Sequence, residues 1–156
     1  MLQIDIPGYK ILQIEHVVCD YNGTLAIDGQ LIPGIRKKLQ LLSKQVTIHV
    51  ITADTFENAE KQLIDIPCKI QILPLEKQAE LKQAYVLNIG PQKTVCIGNG
   101  RNDLLMFKEC LLGIALILNE GSAAQTVLNA DIIQTSIIDA LNLFLYPRRL
   151  IATLRS

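Results

Sequence analysis

His16-Val17-Val18-Cys19-Asp20-Tyr21-Asn22-Gly23-Thr24 sets the reading of the whole chain. A short run carrying two β-branched valines stops abruptly at an acid, an amide, a glycine and a threonine. So short a run with no alternation is predicted to be a strand buried on both faces, as strands of a parallel sheet are. Ligands of open α/β sheets bind beyond the carboxyl ends of the strands, so the Asp20 cluster falls where function is expected.

Similar runs recur outward from this one. They are Val46-Thr47-Ile48-His49-Val50-Ile51, Lys69-Ile70-Gln71-Ile72-Leu73, Thr94-Val95-Cys96-Ile97 and Gly113-Ile114-Ala115-Leu116-Ile117-Leu118. Helical patterns separate them. Pro33 opens one whose Ile35, Leu39 and Leu42 share a face. Asp54 or Thr55 caps a second, running through Ala59 to Leu63, and a third covers about Glu76 to Leu87. A fourth begins near Asn102, Ser122 caps a fifth, and Ser136 with Asp139 forms a capping box for a sixth. Alternating strand and helix predicts a parallel sheet covered by helices on both sides. Leu25-Ala26-Ile27 and Gln30-Leu31-Ile32 flank Asp28-Gly29, a two-residue hairpin signal directly after the first buried strand.

The chain has 156 residues, and residues 1–156 are read as one α/β domain with a core that needs no disulfide or structural metal. Apolar residues at 49% and charged residues at 19% exclude a disordered chain. Fifteen Lys and Arg balance fifteen Asp and Glu, which argues against nucleic acid or an anionic membrane as partner. Aromatics at 4% leave few platforms for bases. No apolar run approaches the roughly 20 residues of a membrane span. The first residues lack the basic start and long apolar core of a secretory signal. Cys19, Cys68, Cys96 and Cys110 form no CxxC pair, so they read as reduced thiols of a cytoplasmic protein. The stretch from Leu141 to Leu150 is expected to pack on the sheet or on another subunit. Arg148, Arg149 and Arg155 are read as complementing a helix end.

Three strand ends carry the chemistry: Asp20-Tyr21-Asn22-Gly23-Thr24, Thr52-Ala53-Asp54 and Gly98-Asn99-Gly100-Arg101-Asn102-Asp103. An Asp20 carboxylate can attack phosphorus and form an aspartyl-phosphate. A divalent cation must screen the repulsion between the two anions. Asp103 offers a second hard oxygen, and Mg²⁺ prefers one or two carboxylates plus waters and phosphate oxygens. Gly23 lets backbone N–H groups approach the phosphate. The Thr52 hydroxyl and a lysine can hold its equatorial oxygens. Lys77, at the start of the third helix, is preferred for that role over Lys82 on the same helix. Asp54 is read as a helix cap rather than an assistant to Thr52, and Tyr21 as lining the entrance. Arg101 is left open between substrate contact and solvated loop. His16 and His49 are read as structural, and Cys19 as pointing away from Asp20.

Taken in order, these motifs resemble the haloacid dehalogenase superfamily over roughly residues 15 to 133. Asp20-Tyr21-Asn22-Gly23-Thr24 is similar to its first motif, Thr52 to its second, Lys77 to its third, and Gly98 to Asp103 to its fourth in the form used by P-type ATPases. The resemblance implies a three-layer Rossmann-like fold, closest to small soluble P-type-ATPase-like phosphatases. It implies Asp20, Asn22, Thr52 and Lys77 as catalytic residues. The phosphate would be held by Asp20, Gly23, Thr52, Ala53, Lys77 and Asn102, and Mg²⁺ by Asp20, Asn22, Asn99 and Asp103. Asn22 stands where the phosphatases usually carry an Asp general acid and base, so slow hydrolysis is expected. Asn99 stands where a metal-binding Asp is usual, so weaker Mg²⁺ binding is expected. The gaps from Thr24 to Thr52 and from Thr52 to Lys77 have no room for a cap domain. The site should then be open to a small phosphorylated substrate or a phosphoprotein, covered at most by the hairpin flap or a second copy of the chain. Two alternatives stand beside this reading: a phosphate-binding regulatory module, and a receiver-like switch that the fourth motif argues against.

Overall fold

Alternating apolar residues at the start of the chain, Leu2, Ile4 and Ile6, form β1 (Leu2–Ile6), which pairs antiparallel with β2 (Lys10–Ile14). The sequence reading did not assign this hairpin. The computed structural model describes residues 1–53 and 58–156. The run quoted above is β3 (His16–Asp20). Ala26–Ile27 and Gln30–Leu31 are β4 and β5, joined by Asp28 and Gly29 at φ of 50° and 77°, as a primed turn requires.

The remaining elements alternate as expected. They are α1 (Ile35–Leu42), β6 (Thr47–Thr52), α2 (Asn58–Gln62), β7 (Cys68–Ile72), α3 (Gln78–Ile89), β8 (Thr94–Gly98), α4 (Leu104–Glu109), β9 (Leu112–Leu116), α5 (Ala124–Leu128), β10 (Ile132–Gln134), α6 (Ile137–Leu145) and α7 (Pro147–Leu154). Six strands form a parallel sheet in the order β10-β9-β8-β3-β6-β7. β3 lies inside it, between β6 and β8, so Asp20 has a strand end on either side.

Side-chain alternation along β3 sorts the two faces. Val17 and Cys19 point into the core shared with Ile35 and Leu39 of α1 and Leu141 and Phe144 of α6. Val18 points into the opposite core, with Val86 of α3 and Met106 and Phe107 of α4. Asp20 has the parity of Val18, so its side chain meets the α3 layer. Burying these two apolar layers is the main stabilising contribution, at about 25 cal/mol per Å² removed from water.

Several local expectations change. Ala123, not Ser122, precedes α5, and the Ser122 hydroxyl donates to the Asn99 carbonyl at 2.9 Å. Ser136 does cap α6, accepting from the Asp139 N–H at 3.2 Å. The expected capping by Asp54 or Thr55 lies outside the described residues. The C-terminal stretch splits at Tyr146 into α6 and α7, with Pro147 in the first turn of α7 and Leu141, Leu143, Phe144 and Leu150 buried. Among the described residues, no inserted domain interrupts the elements between β3 and β8, and no helix is long and apolar enough to cross a membrane.

Candidate active site

A cleft of about 420 Å³ opens at the carboxyl edge of the sheet, lined by Asp20 from β3, Thr52 and Ala53 after β6, and Asn99, Gly100 and Asn102 after β8. Asn22, Leu75, Gln78 and Glu120 complete its walls. The three motif-bearing strand ends therefore do converge.

Lys82 forms the floor. Its Nζ donates to Asp20 Oδ1 at 2.6 Å and to Asp103 Oδ1 at 2.6 Å. The Lys82 side chain is 1% exposed, that of Asp103 0% and that of Asp20 13%, so only Asp20 reaches the cleft. The expectation for Lys77 is thereby corrected. Lys77 is the residue before α3, at φ 56°, and borders a neighbouring hollow with Arg101. Lys82 lies on the buried face of α3, four residues before Val86, and this turn of the helix brings its amine under β3.

Asp103 differs from its expected role as well. Its Oδ2 accepts the N–H groups of Asn99 and Gly100, both at 2.9 Å, so both oxygens are engaged inside the protein. It holds Lys82 and folds the loop after β8; it does not border the cleft. Gly98 makes room for it, since a Cβ there would lie 2.4 Å from Asp103 Oδ2.

The expected amide approach at Gly23 is also corrected. Its N–H donates to the Ala26 carbonyl at 2.8 Å and closes a turn. Gly23 is required for another reason: it has φ +79°, and a Cβ on it would lie 2.5 Å from Asn99 Nδ2 and 2.7 Å from Glu120 Oε2. Asn22 Oδ1 accepts the Gly29 N–H at 3.2 Å, tying the side chain to the hairpin flap. Tyr21 is fully buried rather than at the entrance, and its hydroxyl donates to the Gly29 carbonyl at 3.0 Å. The Asn102 amide donates to Gln78 Oε1 at 2.7 Å, bracing the wall between α3 and the β8 loop. Asn99 Nδ2 donates to the Gly121 carbonyl at 3.1 Å, and its Oδ1 accepts the Thr24 hydroxyl at 3.4 Å.

Burial, followed by the Asp103 carboxylate, pushes Asp20 up to about 7 against the pull of Lys82 and the Tyr21 backbone N–H. Burial works to lower Lys82, but Asp103 and Asp20 outweigh it and hold the ammonium above its ordinary value. Two carboxylates thus share one ammonium, and the cleft side of Asp20 is short of positive charge. The donor set fits Mg²⁺: the Asp20 carboxylate and the Asn22 and Asn99 oxygens bordering the cleft are hard oxygens of the kind that ion takes. Elsewhere, His16 and His49 share a 3.0 Å ring–ring hydrogen bond, and His49 Nδ1 lies 2.8 Å from the Tyr85 hydroxyl. Burial is the main cause lowering both, His49 to about 4, consistent with a structural role. Burial raises the Cys19 thiol well above its ordinary value.

Sequence reasoning ranked Lys82 second and missed Gln78 and Glu120. A lysine in register with Tyr85, Val86 and Ile89 on a helix facing the sheet was the available signal for Lys82. Glu120 carried none, because the turn from Leu118 to Gly121 that places it is visible only in three dimensions.

Residues 36–136 match the model of the haloacid dehalogenase-like hydrolase family, a span that takes in Thr52, Lys82 and Asp103 but not Asp20. An uncharacterised protein of Methanocaldococcus jannaschii is 47% identical over 64 residues, 41% of this chain and 69% of that one. Among solved structures, the cobalt-bound deoxy-D-mannose-octulosonate 8-phosphate phosphatase of Haemophilus influenzae superimposes with a TM-score of 0.71 at 13% identity, covering 92% of this chain and 94% of that one. The 3-deoxy-D-manno-octulosonate 8-phosphate phosphatase of Moraxella catarrhalis, in complex with magnesium, phosphate and KDO, gives 0.63 at 20% identity, covering 92% and 94%.

Proposed function

The chain belongs to the haloacid dehalogenase-like hydrolases, and on that premise we propose that it is a Mg²⁺-dependent phosphatase working through a phosphorylated Asp20. The observation that carries this reading is Lys82 bonded to both Asp20 and Asp103 beneath a cleft that, of these three, Asp20 alone lines. An Asp20 oxygen forms a bond to phosphorus as the bond from phosphorus to the leaving oxygen breaks. Water then attacks phosphorus, releasing inorganic phosphate and the Asp20 carboxylate. Lys82 fixes the carboxylate and, with the Thr52 hydroxyl and the backbone at Ala53, offsets charge on the transferring oxygens. Mg²⁺, held by Asp20, Asn99 and the Asn22 backbone carbonyl, would screen the carboxylate from the phosphate.

Asn22 can neither protonate the leaving oxygen nor deprotonate water, and its amide is already tied to Gly29. Solvent must supply those proton transfers, so good leaving groups are favoured and the phosphoenzyme hydrolyses slowly. General acid–base assistance of this kind is worth about 10²- to 10⁴-fold. The open cleft suits a small phosphorylated molecule, and an exposed phosphorylated side chain of a protein also fits it. The amides at 22 and 99 favour a second reading, a module that binds phosphate to regulate a partner. Hydrolysis of p-nitrophenyl phosphate with and without Mg²⁺ separates the two. The phosphatase reading predicts Mg²⁺-dependent release of nitrophenol that falls to background in Asp20→Asn. Mg²⁺-dependent phosphate binding without turnover would favour the module.

A further inference from the structure

Asn99 leaves the cation side of the cleft one charge poorer than an aspartate would. Asp20, Asp103 and Lys82 together carry a single net negative charge, modest for a divalent ion. The structure brings a further carboxylate to the place of that loss. Glu120 borders the same cleft as Asp20, Asn22 and Asn99. The backbone of Gly23 marks its position: a Cβ there would lie 2.7 Å from Glu120 Oε2 and 2.5 Å from Asn99 Nδ2, so both side chains close over one α-carbon. Two contacts fix the turn that bears Glu120. Its Gly121 N–H donates to the Leu118 carbonyl at 2.9 Å, and its Gly121 carbonyl accepts Asn99 Nδ2 at 3.1 Å. An aspartate at position 99 would have no hydrogen to donate to Gly121. The amide that forfeits a charge thus anchors the turn that returns one.

We propose that Glu120 supplies the second negative charge of the divalent-cation site, beside the uncharged amide of Asn99. The assignment rests on the Mg²⁺-dependent reading above. Mg²⁺ dehydrates reluctantly and usually keeps several waters, so a carboxylate at the wall of the cleft can act on the hydrated ion. Among the described residues Glu120 is engaged in no hydrogen bond or ion pair, which leaves the carboxylate available for that task.

Mn²⁺, a spin-active substitute for Mg²⁺, tests this without turnover. Free and bound Mn²⁺ are counted by electron paramagnetic resonance in the wild type, Glu120→Gln, Asp20→Asn and Glu80→Gln, with Mg²⁺ competition giving its affinity. Glu80, on the neighbouring hollow, controls for loss of one nearby charge. Glu120→Gln is expected to weaken binding about ten-fold or more, the scale seen when groups supporting a metal site are removed. Glu80→Gln should stay close to wild type. Wild-type affinity in Glu120→Gln, with binding lost in Asp20→Asn, would overturn the Glu120 assignment and leave the metal-dependent reading intact. No Mn²⁺ binding by the wild type, or binding indifferent to Asp20→Asn, would overturn both. Equal weakening by Glu80→Gln would reduce the effect to general surface charge and also overturn the assignment.

Discussion

The floor and the rim of the cleft are built on different principles. The floor is a buried, fully engaged ionic cluster: Asp20, Lys82 and Asp103 within 2.6 Å contacts, with Asp103 braced by two backbone N–H groups at 2.9 Å. The rim is made largely of amides. Asn22 holds the flap, Asn99 holds the Gly121 turn, and Asn102 is tied to Gln78. Buried charges persist only when paired and hydrogen-bonded, and here the Lys82 ammonium offsets the charge of the Asp20 and Asp103 carboxylates. The amide rim offers ligands and shape, but no group at position 22 that moves a proton. Under the proposed phosphatase reading, that contrast is the one expected of a site that accepts a phosphoryl group readily and releases it slowly.

Removing the floor gives the largest expected effect. Lys82→Met leaves two carboxylates facing each other in a buried place, which should cost about 3–5 kcal/mol in chemical denaturation and abolish turnover. A fully stable Lys82→Met protein would mean that the cluster is not the keystone described. Changing the rim comes next. Asn22→Asp should raise turnover of an aryl phosphate by roughly 10²-fold, because hydrolysis of the phosphoenzyme limits it, and that of an alkyl phosphate at least as much, because its leaving oxygen needs protonation as well. Equal rates for wild type and Asn22→Asp on both substrates would show that proton transfer is not the missing ingredient.

A third comparison is internal to α3, whose Tyr85 meets a neutral polar chain rather than a charged one. His49 and His16 are held below their ordinary pKa of 6.5, His49 at about 4. The unfolded chain therefore binds more protons, and stability should fall as pH drops from about 6.5 towards 4. Thermal denaturation across that window should show the loss, and His49→Gln should flatten the slope; an unchanged slope would assign acid sensitivity elsewhere. The smallest effect belongs to Lys77. Lys77→Gly relieves a left-handed backbone at a residue outside the cleft, so stability should change by less than about 1 kcal/mol. Turnover should remain near wild type, and a collapse in turnover would return the phosphate-holding role to Lys77.

The buried runs and the helical patterns between them made most of the parallel sheet legible, because strands covered on both faces carry a dense apolar signal. β10 escaped because only three residues pair there, and Ile133 is exposed. The first hairpin is less legible because it stands outside the parallel sheet and buries only alternate residues, Ile4 and Ile6 in β1 and Leu12 and Ile14 in β2. At the sheet edge, the strand ends bring Asp20, Thr52 and Asn99 to one cleft, since termini of neighbouring parallel strands must lie together. Spacing within a helix was harder to read. Lys77 is nearer the strand edge in sequence, but the parity that turns Asp20 towards α3 selects the lysine on the inward face, Lys82. Asp103 could be assigned to the site but not to its interior, because which side of a loop an acid faces depends on the backbone N–H groups that receive it.

Trapping the phosphorylated residue tests the central claim most directly. The protein is incubated with Mg²⁺ and an aryl phosphate, quenched in acid and mapped by peptide mass spectrometry. One phosphoryl group is expected on Asp20, accumulating in the wild type, depleted in Asn22→Asp and missing from Asp20→Asn. Nitrophenol release that continues unabated in Asp20→Asn, with no phosphate ever found on residue 20, would contradict it.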